Sequence, residues 1–117
     1  MSKVSIVGAG TMGVGIAQIA ATKDHEVCLY DAFEGAIENA ENKLNKILNR
    51  LVEKKRISKK EKYNIIARIN FTKEIKEIKG SSLVIEAIIE DLEIKQKIFK
   101  EIEELVDTDC IIASNTS

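Results

Sequence analysis

Proline is absent from all 117 residues. No fixed-φ break therefore interrupts a helix, and long helices are favoured. An excess of charge of one sign is also missing: 18 Lys and Arg stand against 19 Asp and Glu, a net charge of −1. That balance leaves no electrostatic footprint for nucleic acid or an anionic membrane. Cysteine is limited to Cys28 and Cys110, far apart, each in a short apolar run and without C-x-x-C spacing. They read as reduced core residues of a cytoplasmic protein, and no metal is expected. The one histidine, His25, falls in the polar turn Lys23-Asp24-His25-Glu26. A solvated histidine without a partner makes neither a metal site nor a catalytic triad.

Charge is also scarce from Val4 to Thr22, yet four glycines between Gly8 and Gly15, and Gln18 after them, suit neither a bilayer span nor a secretory signal. A buried strand, a turn and a helix explain the same residues. At this length, with 44% hydrophobic and 32% charged residues, the chain is one folded domain.

The strand carries Val4, Ile6 and Val7, β-branched residues suited to a sheet covered on both faces. Gly8, Gly10 and Gly13 then fit G-x-G-x-x-G. Gly8 makes the tight turn, Gly10 lets the backbone approach a pyrophosphate, and Gly13 lets the helix pack close on the strand. The helix points its free N–H groups and partial positive charge at the phosphates. Asp31 follows Gly8 by 23 residues and ends the second strand, Glu26 to Tyr30. A carboxylate there can accept hydrogen bonds from both hydroxyls of an adenine ribose, or it can cap the helix that follows. Ala32 and Phe33 come next, with no cation to meet a 2′-phosphate, which favours NAD over NADP.

The spacing predicts a first helix from Met12 to Ala21, with Ile16, Ile19 and Ala20 facing the sheet. A long helix from Phe33 to Glu53 turns Ala36, Ile37, Ala40, Leu44, Ile47, Leu48 and Leu51 to one side. Ser58 and Glu61 form a capping box for a helix from Lys59 to Ala67, with Tyr63, Ile66 and Ala67 inward. The two make a helical hairpin jutting from the sheet, and the basic residues from Lys54 to Lys62 form its solvated tip. Further strands are predicted at Arg68–Thr72, Leu83–Ile88 and Cys110–Ala113, with a short turn around Ile75 and Ile78 and a helix from about Leu92 to Val106. Alternation of this kind requires parallel strands and right-handed crossovers. The expected architecture is α/β: a doubly wound parallel sheet of the Rossmann type, order 3-2-1-4-5, whose ligand sits where the order reverses, at the carboxyl ends of strands one and four. Asp31, Glu86, Glu90 and Ser114 to Ser117 converge on that edge.

Two further stretches are more discriminating than the glycine loop. Ser82 to Lys95 contains Glu86-Ala87-Ile88-Ile89-Glu90-Asp91-Leu92-Glu93-Ile94-Lys95, and Ile112 to Ser117 reads Ile-Ala-Ser-Asn-Thr-Ser. With Gly-Ala-Gly-Thr-Met-Gly at the loop, the whole chain resembles the 3-hydroxyacyl-CoA dehydrogenases, most nearly their bacterial 3-hydroxybutyryl-CoA branch. The resemblance implies an NAD-dependent oxidoreductase of fatty acid or butanoate metabolism, acting on a CoA thioester as a homo-oligomer. It places Gly8, Gly10, Thr11, Met12 and Gly13 along the pyrophosphate and Asp31 on the adenosine ribose. It places Glu90 and Lys95 around the nicotinamide half. Ser117 would contact the substrate beside the nicotinamide, and Asn115 would shape that turn. Lys54 would approach the CoA phosphates from the helical arm, although the next polar contact expected on that face is here Ile47. Read from local spacing alone, Glu90 instead caps the following helix and Lys95 pairs with Asp91 or Glu90.

The family's general base is a histidine in a Gly-x-His-Phe-Phe-Asn-Pro stretch that these residues do not contain. His25, at the start of strand two, sits at the wrong end to replace it. Residues 1–117 are thus expected to be an NAD-binding domain ending before the histidine strand and the C-terminal helical domain, inactive alone and with no catalytic residue of its own. The competing expectation is a regulatory nucleotide-sensing Rossmann domain. Such domains share the G-x-G-x-x-G…Asp layout but lack the Ser-Asn-Thr-Ser exit and the long helical arm.

Overall fold

The computed structural model describes residues 2–88 and 92–114. Five strands form one parallel sheet in the order β3-β2-β1-β4-β5: β1 Lys3–Val7, β2 Glu26–Tyr30, β3 Ile69–Thr72, β4 Leu83–Glu86 and β5 Ile111–Ser114. The helices are α1 Thr11–Thr22, α2 Ala36–Glu53, α3 Lys59–Ala67 and α4 Leu92–Leu105, with a 3-10 turn at Ile75–Ile78. The expected order and alternation are those observed. Among the described residues, no helix is long and apolar enough to cross a membrane.

The central strands β1, β2 and β4 alternate between two cores, as strands covered on both faces must. Val4, Ile6, Val27 and Leu29 face α1, α2 and α3, packing on Val14, Ala17, Ala21, Ala40, Leu44 and Leu48. Val7, Cys28, Tyr30 and Val84 face the other way, onto Ile78 and Ile102. On that second side Ser5 is fully buried, its hydroxyl 2.6 Å from that of Ser81. Burial of the pair is tolerable because Ser81 in turn donates to the Ile78 carbonyl. Lys3 ties the same region together, donating to the carbonyls of Glu77 and Lys79, each at 2.7 Å.

Several local expectations are corrected. On α1 the buried residues are Gly13, Val14, Ala17 and Ala21; Ile16 and Ala20 pack on the same core as expected, whereas Ile19 is 60% exposed. This helix is apolar nearly all round, so its periodicity does not select a face. The close approach at Gly13 does. On α3 the buried residue is Ile65, and Tyr63 is 75% exposed. Ala67 is exposed too, and Ile66 half-buried. The α2 helix starts at Ala36, three residues later than Phe33. The Phe33 N–H is taken by Asp31 Oδ1 and Gly35 adopts φ +82°, so the chain turns before it coils. Arg68 lies outside β3. It caps the far end of α1, donating to the Ala21 carbonyl at 2.8 Å and pairing with Asp24 at 3.0 Å. β4 ends at Glu86 and β5 begins at Ile111. Cys28 is buried and Cys110 only partly, both as free thiols. His25 is half-buried, not solvated, and its Nδ1 has no partner among the described residues.

The Ser58–Glu61 capping box forms in full, with both reciprocal bonds present. It starts the hairpin's second helix at a fixed point. The near half of the hairpin is core, through Ile37, Ala40, Leu44, Leu48 and Ile65, and its tip, Lys54 to Arg56, is exposed.

Candidate functional site

The carboxyl ends of the strands finish in one register row: Thr72, Tyr30, Val7, Glu86 and Ser114 are successive parallel partners. Immediately beyond this row the chain leaves β1 at Gly8, β2 at Asp31 and β4 at Ala87. Gly8 N–H donates to the Tyr30 carbonyl and Ala87 N–H to the Val7 carbonyl, both at 2.8 Å. The turn is thereby locked to both neighbours of β1, at the position where strand order reverses.

The glycines divide their work. Gly8 has φ +117°, and a Cβ there would lie 2.5 Å from the Ala87 carbonyl oxygen. Only glycine adopts that backbone without strain. A Cβ on Gly13 would lie 1.9 Å from the Gly8 carbonyl oxygen, so helix and turn touch backbone to backbone. Gly10 differs. Its φ is −75° and ψ −170°, ordinary extended values, and a Cβ there would meet nothing within 4 Å. The fold does not need a glycine at position 10. The open space in front of it is a place a ligand can fill.

That space faces the start of α1. Gly10 contributes no side-chain cap and the first turn holds no acid. The N–H groups of Thr11, Met12 and Gly13 have no intrahelical acceptors, as at any helix start, and they carry the positive end of the helix dipole. Asp31 braces the loop from the side. Its Oδ2 accepts from Ala9 N–H and its Oδ1 from Phe33 N–H, each at 2.9 Å. Each oxygen keeps a lone-pair direction for a further donor. One contact was not foreseen: Lys43, on the polar side of α2, donates to Thr11 Oγ1 at 2.9 Å. Nothing in the local sequence signals it, because it depends on how α2 is rotated against α1.

On the other side of the row, Glu86 and Ser114 open into a cleft of about 530 Å³ that also takes in Lys95, Gln96 and Phe99. Glu86 is 4% exposed, and its Oε2 has no hydrogen-bond partner among the described residues. Burial pushes its carboxyl above the usual range, while the Ser114 hydroxyl and the Lys95 ammonium pull it down. Below the unfolded pKa the group is neutral in both states and costs nothing. As pH rises from there through the folded pKa, the folded state loses stability. Glu86→Gln should remove that loss, so that it exceeds wild type in stability at neutral pH by more than at pH 4. Urea unfolding of both proteins at pH 4 and pH 7 checks this. An identical pH difference in the two would refute the burial effect.

Of the residues the sequence singled out, Gly8, Gly10, Thr11, Met12, Gly13 and Asp31 come together at this edge. Lys95 stands across the cleft beside Glu86. Glu90, Asn115 and Ser117 lie outside the described residues. Lys54 is exposed at the C-terminus of α2, about 27 Å along that helix from Ala36 at 1.5 Å per residue, and so is not part of the loop site. A larger groove, about 650 Å³, runs between α2 and α3 past Asn49, Lys62 and Tyr63. Its polar groups serve each other, Lys62 donating to Asn49, and it is remote from the switch point. Among the described residues no cluster of His, Cys, Asp and Glu is arranged to hold a metal.

Comparison with known proteins agrees with this geometry. The family profile described as 3-hydroxyacyl-CoA dehydrogenase, NAD binding domain, matches residues 3–117. A 3-hydroxybutyryl-CoA dehydrogenase of Clostridioides difficile is 40% identical over 115 residues, 98% of this chain and 41% of the relative. Another from Mycobacterium tuberculosis is 36% identical over 118 residues, 100% of this chain and 41% of the relative. The crystal structure of the (S)-3-hydroxybutyryl-CoA dehydrogenase PaaH1 from Ralstonia eutropha superposes with a TM-score of 0.95 at 38% identity, covering 100% of this chain and 41% of that one. The chain thus spans about two-fifths of the length of these relatives. It belongs to the family of NAD-binding domains of the 3-hydroxyacyl-CoA dehydrogenases.

Proposed function

We propose that residues 1–117 are the NAD-holding part of an enzyme that interconverts short-chain 3-hydroxyacyl-CoA and 3-oxoacyl-CoA. The observation that carries this reading is the pairing of Gly10, which faces open space, with Asp31 braced beside it by two backbone N–H groups. The residues present fit the group. A dinucleotide's diphosphate needs a helix start without a side chain in front of it, and its ribose needs an acceptor one strand away. The carboxylate of Asp31 would also repel the extra phosphate of NADP.

In this reading Gly8, Gly10, Thr11, Met12 and Gly13 frame the diphosphate, and Asp31 holds the adenosine ribose. Lys95 and Glu90 line the nicotinamide half. Asn115 and Ser117 stand on the substrate side, and Lys54 meets the CoA phosphates from the hairpin. NAD, when bound, supplies a nicotinamide carbon that takes or gives a hydride. The chain's own residues orient that ring and exclude water from one side of it. They do not hold the hydroxyl proton: His25 precedes β2, the opposite end of the sheet from Asp31. The base therefore belongs to a part of the enzyme other than residues 1–117. Alone, these residues bind cofactor without turnover. The whole enzyme is cytoplasmic and homo-oligomeric, takes a CoA thioester of fatty acid or butanoate metabolism, and has no nucleic-acid or membrane partner.

Titration of the chain with NADH, followed by its fluorescence, should saturate below millimolar cofactor, with weaker binding of NADPH. The parent enzyme should oxidise NADH on addition of 3-oxobutyryl-CoA. Absence of any response at millimolar NADH would overturn the cofactor assignment. Binding without oxidation by the parent would overturn the substrate class.

A further inference from the structure

We propose that Lys43 is a pyrophosphate-binding residue, a cation delivered from α2 to the diphosphate of the cofactor at the start of α1. The inference rests on the NAD reading above and adds to it a residue that the glycine fingerprint does not include.

Three observations converge. The first is position. Lys43 Nζ donates to Thr11 Oγ1 at 2.9 Å, and Thr11 is the first residue of α1. The ammonium thus stands at the mouth of the cradle formed by the free N–H groups of the first turn.

The second is the lack of any ordinary reason for it to be there. A surface lysine on a helix is commonly matched by an acid three or four residues away. The neighbours of Lys43 at those spacings are Asn39, Ala40, Lys46 and Ile47, none of them acidic. The ion pairs formed among the described residues are Arg68 with Asp24 and Lys73 with Glu38, and neither includes Lys43.

The third is electrostatic. A cation at a helix N-terminus is opposed by the helix dipole. Within α1 nothing offsets that opposition, since its first turn contains no acid and Gly10 offers no capping oxygen; the nearby Asp31 carboxylate accepts from Ala9 and Phe33 N–H. Lysine, amide N–H groups and dipole all present positive charge to one small space, with the Asp31 carboxylate at its side. A doubly charged diphosphate reverses the sign of every one of these terms. The arrangement becomes more favourable when an anion lies between Lys43 and the loop. The Thr11 hydroxyl, which accepts from Lys43, is left free to donate its own proton to a phosphate oxygen.

The test uses the parent enzyme and three probes: NADH, ADP and adenosine. Lys43→Gln should bind NADH and ADP roughly tenfold more weakly than wild type, the loss expected for a charge-assisted hydrogen bond. The difference should narrow as salt is raised, because the contact is solvent-exposed. Adenosine, which carries the ribose and no phosphate, should bind both proteins equally. Lys43→Arg should restore most of the affinity for NADH. Unchanged NADH affinity in Lys43→Gln, with wild-type binding intact, overturns this inference and leaves the NAD reading standing. Equal losses for adenosine and ADP also overturn it, since that pattern reports a disturbed loop. A parent enzyme that binds no NADH at all removes both readings together.

Discussion

Gly13→Ala is expected to leave little folded protein, while Gly10→Ala folds as well as wild type and fails to bind NADH tightly. Both substitutions add one methyl group to the same loop. On helix propensity alone, alanine at position 13 would gain about 1 kcal/mol. The clash decides against it. The new carbon would sit 1.9 Å from the Gly8 carbonyl oxygen and 3.0 Å from its carbon. These are backbone atoms, fixed by the bonds of Gly8 and Ala87 to β2 and β1, so they have no rotamer by which to retreat. Separating α1 from the turn also opens the contacts of Val14, Ala17 and Ala21 with the sheet, and a loss of more than about 3 kcal/mol follows. At position 10 the backbone already suits an L residue and the methyl meets no atom. Stability should change by no more than about 0.5 kcal/mol, while NADH affinity falls at least tenfold because the methyl takes the space of the diphosphate. Urea melts and NADH titrations of the two variants separate the outcomes. A well-folded Gly13→Ala, or a Gly10→Ala with wild-type affinity, would contradict the division of roles.

Asp31→Ala should abolish measurable NADH binding, a loss on the order of a hundredfold, or ~3 kcal/mol, for two charge-assisted bonds to ribose hydroxyls. The same substitution removes the acceptor of Ala9 N–H and Phe33 N–H. Ala9 is buried and Phe33 exposed, so water replaces the bond to Phe33 more readily than that to Ala9, and stability should fall by about 1 to 2 kcal/mol. Asp31→Asn separates the two effects: the amide oxygen still accepts one of the backbone bonds, while the negative charge is gone. It should retain most of the stability, bind NADH at an intermediate level, and narrow the preference for NADH over NADPH. Tight NADH binding by Asp31→Ala would remove the carboxylate from the ribose site.

The sheet was legible in the chain because its strands are short apolar runs bounded by polar turns, a pattern that only burial on both faces explains. Glycine spacing and the acid after β2 located the cofactor loop for a similar reason. Each of those residues is demanded by backbone geometry, which leaves a mark in the sequence. What escaped depends on contacts between elements. The inner face of α1 is chosen by Gly13 meeting Gly8, and an all-apolar helix carries no periodic signal of that choice. Tyr63 looked like a core residue by type, yet the hairpin turns it outward and buries Ile65. The start of α2 is delayed by the Asp31 side chain taking the Phe33 N–H, a local competition that apolar spacing does not register. Lys43 reaches Thr11 across 32 residues, a meeting fixed only when α2 lies against α1.

The strand order has a bearing on how the molecule is made. β1 is synthesised first and lies in the middle, but Val4 waits for Leu83 to pair on one side. While the ribosome is still adding residues before β4, β3-β2-β1 with α1, α2 and α3 can already assemble as a half-sheet, since domains tend to build from the N-terminus during synthesis. In that nascent form Val7, Cys28 and Tyr30 face water, and Ser5 has no hydroxyl to meet. The later arrival of the Ile75–Ile78 turn, β4 and α4 covers that bare side. The same arrival locks Gly8 against Ala87, so the cofactor loop is the last part of the early half to become rigid.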